Sequence, residues 1–120
     1  DDLLQAQFKA PNKNAAFAQF SEIFGQVLGL DSAKILDALV ARERTQNTSV
    51  GHGVAIPHAT VPALKKSGLG IFVAESPIQY DALDGQKIDV FFVTLGPPED
   101  RQAHLLILAT VSKLIMHTNV

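Results

Sequence analysis

Cysteine is absent from the 120 residues, and the chain carries a single tyrosine and a single methionine. Without thiols there can be no disulfide scaffold, Cys-ligated zinc, iron–sulfur centre or cysteine nucleophile, and the absence fits a reducing compartment. A basic excess is missing as well. Ten Lys and Arg stand against twelve Asp and Glu, for a formal net charge of −2, so no basic excess is available to neutralise a nucleic-acid backbone. No apolar run approaches the roughly 20 residues of a membrane span. Asp1 and Asp2 open the chain with no signal-peptide pattern and no starting Met, so the expectation is a piece trimmed from something longer. Repeats and low-complexity segments are lacking. So are the HExxH, GxSxG, Walker A and GxGxxG patterns, which leaves a zinc peptidase, a Ser hydrolase or a nucleotide kinase without support, and no metal or cofactor is expected.

What is present is an ordinary globular composition, 47% hydrophobic, in a length that makes one domain, residues 1–120. A domain of this size buries roughly two thirds of the surface its unfolded chain exposes, enough for a core without cross-links. Ala10–Asn14 reads as a turn and a helix start, with Asn12 or Asn14 as N-cap. Phe17, Phe20, Ile23, Phe24, Val27 and Leu28 then recur at helical spacing, and Gly29 is a fitting stop. Asp31 or Ser32 can cap a second helix with Ile35, Leu36, Leu39 and Val40 on its face, running out near Arg44. Thr45–Val50 is polar and reads as a loop, and Val54–Ile56 as a short buried strand ended by Pro57. Leu69–Ala74 and Ile88–Leu95 read as strands, the second apolar enough to be central and covered on both faces. Asp81–Gln86 is a turn, and Glu99 or Asp100 starts a last helix that frays near Met116. Helices alternating with buried strands predict an α/β layered domain whose sheet can be mixed.

Chemistry is sought first at the four histidines. His58 follows a buried strand and a rigid proline, which places it at a strand end where α/β folds keep reactive groups; a loop histidine without a role is the alternative. Gly51 and Gly53 upstream would let another group approach the backbone closely. His104 lies in the first turns of the last helix near Arg101, where anions are favoured, though from position alone a plain surface histidine is the favoured reading. His52 sits between two glycines and reads as a solvent-facing residue, and His117 receives no role. Arg42 and Arg44 end the second helix, either as ordinary cations at a C-terminus or with one turned toward the histidine site. A histidine that attacks phosphorus must be neutral, and its ordinary pKa is about 6.5. A neighbouring Arg would lower that value by repulsion and then stabilise the transferred phosphoryl oxygens.

Gly53-Val54-Ala55-Ile56-Pro57-His58-Ala59, preceded by Thr48-Ser49-Val50-Gly51, resembles the phosphorylation signature of enzyme IIA of the fructose/mannitol/nitrogen-regulatory type, from the bacterial phosphoenolpyruvate-dependent phosphotransferase system. Ala41-Arg42-Glu43-Arg44, the segment Pro77–Gln86 with Ile88–Phe92, and Ala103-His104-Leu105 with Leu108-Ala109 are similar to further segments of that family, in order along residues 14–115. The resemblance implies an α/β/α sandwich with a mixed central sheet and flanking helices. It implies that His58 accepts a phosphoryl group, through Nε2, with His104 as supporting histidine and Arg42 as supporting arginine. The donor would be a histidine phosphocarrier protein. The acceptor would be an enzyme IIB partner, or the phosphorylated state would signal to regulatory target proteins, and the setting would be cytoplasmic. Ala41–Thr45 and the Pro77–Gly85 segment lean toward the nitrogen-regulatory type. His52 and Ala59 depart from the usual pattern, and the chain ends where relatives continue into a further helical segment, which it is expected to lack. A different class of function, a non-catalytic sensor or interaction domain of the same fold, is opposed by the joint presence of Arg42, His58 and His104.

Overall fold

The computed structural model describes residues 3–45, 47–51, 53–62, 64, 68–80, 85–97 and 113. In chain order these form β1 (Leu3–Phe8), α1 (Lys13–Leu28), α2 (Ser32–Thr45), β2 (Ser49–Gly51), β3 (Val54–Ala55), β4 (His58–Thr60), β5 (Gly68–Ile78) and β6 (Ile88–Gly96). Asn12 caps α1 by accepting the Ala15 N–H at 2.8 Å. Gly29 ends it in the left-handed conformation (φ 70°), its N–H returning to the Gly25 carbonyl. Asp31 caps α2, its carboxylate accepting the Ala33 N–H at 3.0 Å. The apolar stripe of α1 is buried at Phe17, Phe20 and Phe24, but Val27 and Leu28 are exposed, so the last turn adds little to the core.

The fold is α/β, with one mixed sheet. Its strand order is β1-β5-β6-β3-β2, and β4 also pairs with β6. β5 and β6 are antiparallel, as are β2 and β3, whereas β1 lies parallel to β5 and both β3 and β4 lie parallel to β6. Ile88–Leu95 is central as expected and extends to Gly96. Alternation sends Phe72, Ala74, Phe91, Val93 and Leu95 into a core shared with Phe8 and with Phe17, Phe20, Phe24, Ile35 and Leu39 of the two helices. Ile71, Val90 and Phe92, on the alternate positions, are half-buried among the described residues.

Four details differ from the sequence reading. β1 was not expected; it is fixed by pairing with β5 from Leu3 opposite Leu69 to Phe8 opposite Ala74. The polar Ser49–Gly51 is a strand because β3 lies beside it. β5 runs on to Ile78, with a register irregularity between Val73 and Ile78 that accommodates Pro77. β3 stops at Ala55, ahead of Pro57 as expected, but pairing to β6 resumes at His58 as a separate strand, β4. Apart from Lys113, which is helical, the last helix expected from Glu99 or Asp100, with His104 and His117, lies outside the described residues, as do His52 and positions 81–84 of the predicted turn.

Candidate functional site

β3 and β4 keep one register along β6. Val54 stands opposite Val90, Ala55 opposite Phe91 and His58 opposite Thr94. The break between them is what a proline imposes, since it has no N–H to give to a ladder. Its carbonyl still accepts the Thr94 N–H at 3.0 Å, and the Ile56 N–H turns away to the Thr48 carbonyl at 2.9 Å. His58 is therefore the first residue of a short strand rather than a loop residue, and its direction is set by β6. Gly53 precedes this segment at φ 77°, and a Cβ there would lie 3.0 Å from an Asp89 carboxylate oxygen. At Gly53 the group that approaches closely is Asp89.

Arg42 reaches His58 from the last turns of α2. Its Nε–H donates to His58 Nε2 at 2.9 Å, while Nη1 donates to Thr45 Oγ1 at 3.2 Å. Guanidinium is a donor only, so Nε2 must be the accepting nitrogen. The ring proton then sits on Nδ1, which lies 3.1 Å from the Ile56 carbonyl. The imidazole is neutral, in a defined tautomer, with its lone pair at Nε2. Its pKa is lowered from the usual 6.5, first by burial and then by the charge of Arg42, while the Ile56 hydrogen bond and Glu43 pull it back up. The sequence pointed to Arg42 for this effect; burial is the larger cause.

A second cluster adjoins Arg42, and nothing in the sequence reading had marked it. The Glu43 carboxylate, on a nearly buried side chain, accepts Lys13 Nζ at 2.9 Å and the Thr48 N–H at 3.0 Å on one oxygen, and the Thr48 hydroxyl at 2.6 Å on the other. Thr48 Oγ1 lies 2.9 Å from the hydroxyl of the fully buried Tyr80, and burial pushes that phenol well above its usual range. Lys13 also lies 4.0 Å from the centre of the Tyr80 ring. One signal could have exposed this cluster: Glu43 is a carboxylate in the C-terminal turn of a helix, where the dipole disfavours it unless cations and donors compensate.

Among the described residues, no group of three or more His, Cys, Asp or Glu is placed to hold a metal ion, and no helix is long and apolar enough to cross a membrane. The site as built offers a neutral imidazole with a directed lone pair beside a fixed cation. Such a pair can take up a phosphoryl group and neutralise its oxygens.

The chain resembles known proteins over most of its length. The family described as "Phosphoenolpyruvate-dependent sugar phosphotransferase system, EIIA 2" matches residues 1–120. A nitrogen regulatory protein of Klebsiella oxytoca is 34% identical over 110 residues, which are 91% of this chain and 68% of that protein. This chain thus spans about two thirds of that relative's length. The crystal structure of nitrogen regulatory protein IIA-Ntr from Neisseria meningitidis superposes with a TM-score of 0.83 at 26% identity, covering 91% of this chain and 75% of that one. The Escherichia coli complex of enzyme IIAMtl with phosphorylated enzyme IIBMtl matches with a TM-score of 0.74 at 15% identity, covering 95% and 78%, a likeness of fold. The chain belongs to the enzyme IIA type-2 family of the phosphoenolpyruvate-dependent sugar phosphotransferase system.

Proposed function

We propose that His58 is the phosphoryl acceptor of a phosphotransferase-system carrier domain. The observation that carries this reading is the 2.9 Å contact from Arg42 Nε to His58 Nε2, with Nδ1 turned to the Ile56 carbonyl. The donor is the phosphohistidine of a histidine phosphocarrier protein. In the transfer, the Nε2 electron pair forms the new P–N bond as the donor's P–N bond breaks and its electron pair returns to the donor imidazole. No proton has to move. The Ile56 carbonyl supports the charge that builds on the ring through the retained Nδ1–H. Arg42 leaves Nε2 and takes up the phosphoryl oxygens, which suit its planar fork. His104 is proposed as the supporting histidine on the strength of its motif alone.

The phosphoryl group then passes to an enzyme IIB partner, or the phosphorylated state signals to regulatory targets. The pairing of IIA with IIB in the E. coli complex supports the first course, and the nitrogen-regulatory relatives support the second. Intact-protein mass after incubation with phosphoenolpyruvate, enzyme I and the histidine phosphocarrier, run beside His58→Ala, tests the assignment. The expected result is an acid-labile gain of one phosphoryl group in the natural sequence only. A gain that survives in His58→Ala, or no gain in a folded natural chain with its cognate carrier, overturns it.

A further inference from the structure

We propose that Glu43 is a positioning residue for phosphoryl transfer, holding in place the groups that contact both ring nitrogens of His58. The inference rests on the reading of His58 as acceptor. On the Nε2 side the link is direct along the chain. Arg42 is the neighbour of Glu43, and the last turn of α2 that carries both is tied by the Glu43 carboxylate to Lys13, the first residue of α1. On the Nδ1 side the link runs through Thr48. Glu43 accepts both the N–H and the hydroxyl of Thr48, and the carbonyl of Thr48 accepts the Ile56 N–H at 2.9 Å. The carbonyl of that same Ile56 receives His58 Nδ1–H.

The hydrogen bonds have a fixed polarity. An ionised carboxylate can only accept, so the Thr48 proton goes to Glu43 and Tyr80 must donate to Thr48. Asn47 pins the same stretch to the segment that follows β5, its amide donating to the Tyr80 carbonyl at 3.2 Å and its oxygen accepting the Ser49 N–H at 2.8 Å. The Glu43 side chain is 7% exposed, at a helix end whose dipole opposes it, and it is held by three donors. Such a group fixes whatever is attached to it, because any movement would strand a buried charge.

The test uses Glu43→Gln and Thr48→Val in the full chain. Glu43→Gln keeps the volume but turns an amide toward groups that are themselves donors. Phosphorylation of His58 by the phosphorylated carrier should slow on the order of ten- to a hundredfold, the scale of an ångström of misplacement. Nitrogen-15 spectra of the His58 ring, assigned with His58→Ala, should change from a single Nδ1–H tautomer to a mixture. Thr48→Val should move both readouts the same way by a smaller factor, and it serves alone if Glu43→Gln does not fold. A lowered melting temperature with an unchanged transfer rate and His58 spectrum would show that Glu43 is a structural residue only, and would overturn the inference. Should the natural chain take up no phosphoryl group, the acceptor reading fails, while the tautomer spectra still decide the positioning role.

Discussion

Replacing Arg42 by Met sets two effects of one side chain against each other. In the resting site Arg42 donates to the Nε2 lone pair at 2.9 Å and must release it before transfer. A hydrogen bond to a charged group is worth about 1.5–3 kcal/mol, and that is the cost of release. In the transition state the same cation faces the phosphoryl oxygens, where loss of one such donor costs about 2.7–4 kcal/mol. The second effect is the larger by about 1 kcal/mol, so Arg42→Met should slow phosphorylation of His58 by roughly fivefold. Loss of the cation also lets the His58 pKa rise, but burial, the leading cause of its depression, remains. The acid limb of the rate profile should shift upward relative to that of the natural chain. Arg42→Lys keeps the charge but cannot span Thr45 and Nε2 together, and should fall between. Rapid-quench measurement of transfer from the phosphorylated carrier as a function of pH reads both effects. An unchanged or faster rate in folded Arg42→Met, above the titration of His58, would refute the reasoning.

Phe20 is fully buried and its ring lies 4.6 to 6.0 Å from those of Phe8, Phe17, Phe72 and Phe91, so Phe20→Ala should cost about 3–5 kcal/mol in urea unfolding; a loss below about 1.5 kcal/mol would mean the cluster closes over the gap. The lowered pKa of His58 means that, as pH falls below 6.5, the unfolded chain binds a proton there before the native one does. Stability should therefore fall with pH from 6.5 down to the native pKa, and His58→Gln should flatten that part of the urea-midpoint profile; a steeper profile in the variant would contradict the sign.

Much of this was legible in the sequence, for local reasons. Asn12, Gly29 and Asp31 mark helix ends by their own side chains or backbone freedom, and the apolar run of β6 announces burial on its own. Arg42 and His58 stood out because a motif names them. The parts that were missed depend on partners far along the chain. Leu3–Phe8 is a strand only because β5 lies beside it, and His58 belongs to a strand only because the register on β6 runs past Pro57. The carboxylate cluster draws on Lys13, on Glu43 with Thr48, and on Tyr80, three separated stretches that no local pattern joins.

The parallel seating of β1 on β5 has a consequence for how the chain acquires its shape. Pairing Leu3 with Leu69 requires a long loop to close first, whereas α1 with α2 and β5 with β6 meet after short excursions. Long-range parallel pairing is slow for this entropic reason. The amino-terminal strand should thus dock late in folding. Until it does, the outer edge of β5 stands open, with N–H and C=O groups ready to accept a strand from another chain. A chain cut back past Phe8 would keep that edge permanently, and its characteristic fault would be self-association through β5.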